Sequence, residues 1–118
     1  MDFKEYYKEQ KKLQERFGKW YPGSEAVHTG NISVDETRFK EHVLLMIKEV
    51  TEILDEINYK PHIRNRKPVS QDRITIELVD TFKFLLNLMI IMGIEPEEFE
   101  KKYTEKHQVV EQRINENL

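Results

Sequence analysis

The chain has 118 residues, of which 35 % are charged and 38 % hydrophobic, with a net charge of −3. That length allows one domain, residues 1–118, with a modest core. The acidic balance excludes the global basic field of a nucleic-acid binder, and the lack of cysteine excludes disulfides and thiolate metal sites. The N-terminal MDFKEYYKEQ carries no apolar run, so no secretory signal is expected. A soluble cytoplasmic protein is expected, with neither membrane nor nucleic acid among its partners.

Asp2–Lys19 reads as a first helix with Phe3, Tyr6, Tyr7, Leu13 and Phe17 as its apolar positions. Gly18 weakens its end and Pro22-Gly23 stops it. Trp20 and Tyr21, at the junction, are expected to pack rather than to stack on a ligand. After a loop over Ser24–Ile32, Ser33-Val-Asp-Glu36 has the spacing of a capping box. A long helix is predicted from there to about Asn58, with Val43, Ile47, Val50, Leu54 and Ile57 on its apolar face. Tyr59–Ser70, with two prolines and the basic residues Arg64, Arg66 and Lys67, is a loop. Its charges read first as a solvated tip and second as a lid over a ligand.

Arg73–Met92 is apolar on every side and reads as a central core helix. Ser70 or Asp72 is a suitable cap, and Gly93 a natural terminator. Glu77, Asp80, Lys83 and Asn87 interrupt its apolar surface within a sector of about 120°, which also argues against a membrane span. Pro96 suits the first turn of a last helix running to about Asn115. Phe99, Tyr103, Val110 and Ile114 lie on one side of it. With no repeat and no convincing strand, the fold class is all-α, a four-helix bundle.

In the second helix Glu49, Glu52 and Glu56 share one stripe, about 60° wide, at the edge of the apolar face. Taken alone, they read as a solvated charged face. Glu77 and Asp80 differ, because a carboxylate pair in a core helix is costly without a charge partner or a cation. If the two helices pack antiparallel, Glu49-x-x-Glu52 and Glu77-x-x-Asp80 face each other across the seam. Four converging carboxylates repel, and all-oxygen ligation suits Mg²⁺, or Mn²⁺, rather than Zn²⁺. The competing reading is a buried ion pair with Lys83 or another basic residue.

Glu49-x-x-Glu52 followed, after a spacer, by Glu77-x-x-Asp80 resembles the signature of the all-α nucleoside triphosphate pyrophosphohydrolases, a superfamily that includes MazG proteins and the dimeric dUTPases. In the last helix, Tyr103-Thr-Glu-Lys106-His107-Gln-Val-Val110-Glu-Gln-Arg113-Ile114 is similar to the Tyr-x-x-Lys-Asn-x-x-Asn-x-x-Arg-Gln segment of dimeric dUTPases. Tyr103, Lys106 and Arg113 hold their places. His107 and Val110 stand where that segment has Asn, and Ile114 where it has Gln. Gln10-x-x-Leu13-Gln14 lies near where dUTPases carry Gln-x-x-Leu-Asn for the base.

The resemblance implies Mg²⁺-dependent cleavage between the α and β phosphates, giving a nucleoside monophosphate and pyrophosphate. Glu49, Glu52, Glu77 and Asp80 would hold the metal, and Glu49 or Glu52 would take the proton from the attacking water. Lys106 and Arg113 would bind phosphates, with Tyr103 donating a hydrogen bond. Lys83 would touch phosphate or balance the acids. Gln10, Gln14 and Asn87 would meet sugar or base, although a buried structural role suits Asn87 equally well. The leading substrate is dUTP, followed by another house-cleaning (d)NTP. A homodimer or homotetramer is also implied, in keeping with the limited core of four such helices. The alternative from another class is a non-catalytic helical oligomerisation module, indifferent to Mg²⁺. A di-iron bundle lacks the Glu-x-x-His pairs it needs, and the four histidines share no ligand spacing, so they read as structural or surface residues.

Overall fold

The computed structural model describes residues 1–58 and 68–117. They form four helices: α1 (Phe3–Trp20), α2 (Ile32–Asp55), α3 (Gln71–Met92) and α4 (Pro96–Glu116). The fold is all-α, as expected. Arg64, Arg66 and Lys67, assigned above to a loop tip or lid, lie outside the described residues.

Each helix start has a local cause. The Asp2 carboxylate accepts the Glu5 amide and opens α1. The Ser70 hydroxyl caps α3, and Gly93, in the left-handed region at φ 68°, ends it. Pro96 occupies the first turn of α4. The start of α2 differs from expectation. Asn31, not Ser33, is the cap, its side chain accepting the Val34 amide at 3.1 Å. Ser33 already lies inside the helix, its carbonyl bonded by Thr37 Oγ1 at 2.9 Å. The capping-box residues are therefore one half-turn too late. Asp35 decides this, because it turns back to accept the amides of Thr29 and Gly30 and the Thr29 hydroxyl. Those bonds hold its carboxyl below the usual range, the Thr29 hydroxyl contributing most. α1 continues past Gly18 to Trp20, and the missing Cβ of Gly18 makes room for the Glu25 side chain, which would lie 2.8 Å from one.

The largest packed surface is the α2–α3 hairpin; α1 lies across α3, and α4 packs on α1 alone among the described helices. The core is small, with Tyr7, Leu86, Met89 and Ile90 at its centre and Phe3, Phe82, Ile94 and Phe99 against it. So α3 is a core helix only in its second half. Ile76, Leu78 and Val79 in the first half remain 58 %, 52 % and 50 % exposed. On α4, Tyr103, Val110 and Ile114 also face outward. Trp20 is 81 % exposed, so its expected packing role is not met within one chain.

The whole molecule shares this openness. Its radius of gyration is 17.8 Å, against about 13.5 Å for a compact chain of this length. Its accessible surface is 9143 Å², against roughly 6,800 Å² for a compact monomer of this mass.

Candidate active site

One register organises the α2–α3 hairpin. His42 meets Asn87, Glu49 faces Asp80, Glu52 faces Glu77, and Glu56 pairs with Arg73 at 2.9 Å. Equal steps forward along α2 and backward along α3 connect these layers, as antiparallel helices require. The stripe is self-compensated at both ends, by a hydrogen bond at His42–Asn87 and an ion pair at Glu56–Arg73. Between them lie two layers of like charge.

There Glu49, Glu52 and Glu77 bring a carboxylate oxygen each within 4.8 Å of the others. One oxygen of Glu77 is buried with no hydrogen-bond partner, an exception that asks for a ligand. Burial pushes the Glu77 carboxyl above the usual range, and the charges of Glu52, Asp80 and Glu49 add to the shift. Glu49 is raised likewise, by burial first and then by Glu52 and Asp80. Among the described residues no ion pair neutralises these layers, and Lys48 only partly offsets the charge around Glu49. The ion pair considered for Glu77 and Asp80 is not present among the described residues; Glu56 instead pairs with Arg73, which removes it from the cluster. The set therefore fits a hard divalent cation: oxygen donors only, mutual repulsion, and one donor atom left without a partner.

Beside the cluster opens a cleft of about 280 Å³, lined by Glu49, Asp80, Lys83, Asn87, Gln10, Gln14, Leu13 and Phe84. Acids, lysine and amides, expected from three different helices, thus share one hollow. The amides are already engaged. Gln10 Nε2 donates to Asn87 Oδ1 at 2.8 Å, and Gln14 Oε1 accepts the Ala26 amide at 2.9 Å. A larger groove of about 780 Å³ runs on between α1 and α3 past Tyr6, Leu13, Leu78, Val79, Phe82 and Lys83.

The α4 residues are placed elsewhere. Tyr103 and Lys106 line a shallow surface groove with Phe99, Lys102, His107 and Val110, and Arg113 is exposed further along the same helix. Since α4 reaches neither α2 nor α3, one chain does not bring Tyr103, Lys106 or Arg113 to the acids. Two further residues belong to the stripe: His42, expected to be a structural or surface residue, and Arg73, not singled out before. His42 lies two turns before Glu49, and Arg73 one turn before Glu77; the hairpin register is the signal that marks both.

Fold and site together define an all-α protein whose central hairpin carries a seam of four carboxylates. The chain belongs to the dUTPase family, whose model matches residues 2–118, nearly its whole length. No curated protein and no solved structure gives a significant match. Among the described residues, no helix is long and apolar enough to cross a membrane.

Proposed function

We propose that this chain is a Mg²⁺-dependent nucleoside triphosphate pyrophosphohydrolase, with dUTP as its leading substrate. Family membership supports a dUTPase-like hydrolase acting on nucleotides. The observation that carries the metal is the seam of Glu49, Glu52 and Glu77, with its unpartnered Glu77 oxygen. With Asp80 these residues would hold Mg²⁺. Bound there, the ion neutralises triphosphate charge and lowers the pKa of an attacking water.

The protein's own groups supply the rest. Glu49, its proton affinity raised by burial and by the neighbouring acids, or Glu52 beside it takes the proton of the attacking water. The water oxygen bonds to the α phosphorus, the bond to the α–β bridging oxygen breaks, and pyrophosphate leaves. Lys83, between the acids and the amides, supplies positive charge to the phosphates. Gln10, Gln14 and Asn87 form the end of the cleft away from the metal seam and receive sugar and base. Tyr103, Lys106 and Arg113 act on phosphate only when a second copy of the chain brings α4 to the seam. Oligomerisation is therefore part of the proposal, supported by about 2,300 Å² of surface beyond that of a compact monomer. An assembly of copies would also cover Ile76, Leu78 and Val79, which are half exposed in one chain.

The test is pyrophosphate release from a (d)NTP panel with and without Mg²⁺, in wild type, Glu52→Gln and Asp80→Asn. Metal-dependent release that collapses in both variants is the expected result. No release from any nucleotide by a folded oligomer would leave only an interaction module.

A further inference from the structure

The Gln10–Asn87 pair ends on a buried histidine that the mechanism above does not use. His42 is 4 % exposed, Gln10 5 % and Asn87 4 %. His42 Nε2 lies 3.0 Å from the Ser24 carbonyl oxygen. That oxygen can only accept, so Nε2 carries the proton. Both bonded partners of the ring, Ser24 and Asn87, are uncharged, and a buried cation without a counter-charge is costly. The neutral ring therefore presents a lone pair at Nδ1, and Asn87 Nδ2 donates to it at 3.4 Å. This sets which end of the Asn87 amide faces the ring. Asn87 Oδ1 then points to Gln10 Nε2, 2.8 Å away, and the Gln10 carbonyl oxygen is left as the free acceptor.

An isolated amide can flip, exchanging donor for acceptor at almost no change in shape. Here a single backbone carbonyl, read through the imidazole, removes that freedom from two amides in turn. Both amides line the cleft beside Glu49, Asp80 and Lys83.

We infer that His42 is a positioning residue for substrate recognition: as the Nε2-protonated tautomer it locks the donor and acceptor order of Asn87 and Gln10 at the base end of the cleft. This rests on the nucleotide-hydrolase reading above. His42 touches no substrate; it makes one hydrogen-bonding pattern permanent. A nucleobase with the complementary edge binds, and one with donor and acceptor exchanged meets unpaired groups, which is the costly kind of mismatch.

Two substitutions separate positioning from bulk. In His42→Asn, the amide oxygen sits near the place of Nδ1 and still accepts from Asn87, while the Ser24 bond is lost. In His42→Gln, the amide nitrogen sits near Nε2 and keeps Ser24, while the acceptor for Asn87 is lost. The expected result is a KM for dUTP raised about tenfold in His42→Gln. Its kcat should change far less, and its preference for dUTP over dCTP should narrow. His42→Asn should fall between His42→Gln and wild type in both respects, because it keeps an acceptor for Asn87 but, without the Ser24 bond, its own amide is free to flip. An equal rise in KM in the two variants, or none in either, would overturn the proposal. So would imidazole ¹⁵N spectra of wild type showing Nδ1 protonated at neutral pH, a readout that needs no activity. A wild type that hydrolyses no nucleotide would sink the functional reading and this one with it. Failure confined to the variants or the spectra leaves the functional reading standing.

Discussion

Dilution should melt this protein. One chain exposes 9143 Å², about a third more than a compact monomer of its mass, and exposed apolar side chains lie on all four helices. For a dimer of two 118-residue chains, the unfolding entropy is about 0.5 kcal/mol/K. Tenfold dilution withdraws about 1.4 kcal/mol, so Tm should drop by about 3 °C per decade of concentration. Leu78→Lys sharpens the test. Leu78 is 52 % exposed in one chain, so roughly half the value of burying a leucine, about 1 kcal/mol per copy, is left for the interface. Two copies make about 2 kcal/mol, or roughly 30-fold in the dimer Kd. Desolvating the ammonium raises this further. Light scattering coupled to gel filtration, and calorimetry across a hundredfold concentration range, read both effects. A wild type that runs as a 14.3 kDa particle at high micromolar concentration, with a Tm indifferent to dilution, would refute the reasoning.

Magnesium at a hundredfold excess over its Kd should stabilise wild type by about 2.7 kcal/mol, and Asp80→Asn should lose most of that in the same calorimetric titration. Without metal, the pH dependence has an unusual sign. Glu49 and Glu77 have carboxyls raised in the folded state, so the folded state holds more protons than the unfolded chain between the ordinary and raised values. Stability should then fall as pH rises through that window. Urea melts in EDTA should show this slope, with Glu77→Gln flattening it and Mg²⁺ suppressing it; a rise through the same window contradicts the cluster. Asn31→Ala should cost about 1 kcal/mol, whereas Ser33→Ala should stay within about 0.5 kcal/mol. Chemical denaturation of the pair would expose the reverse order if Ser33 were the cap. Gly93→Ala should cost about 1 kcal/mol or more, because φ is 68° and the His28 ring lies 3.3 Å from the new Cβ; an unchanged melt would refute that.

Helix periodicity, Gly93, Pro96 and the paired acids were legible in the amino-acid order, because each is a matter of residues within one or two turns of one another. Four helices and the all-α class follow from that local information. The cap of α2 was not legible. Asn31 and Ser33 are both good caps, and the contest was settled by Asp35 folding back onto Thr29 and Gly30. Spacing also made Glu49, Glu52 and Glu56 equivalent. Packing separated them, because the hairpin register puts Arg73 opposite Glu56 and an acid opposite each of the other two. The same register brought His42 to Asn87 across 45 positions of chain, a distance over which no periodic pattern carries information. Charge type and helical phase belong to the chain order. Which charge ends up without a partner depends on how two helices slide past each other, and that is decided when their faces pack.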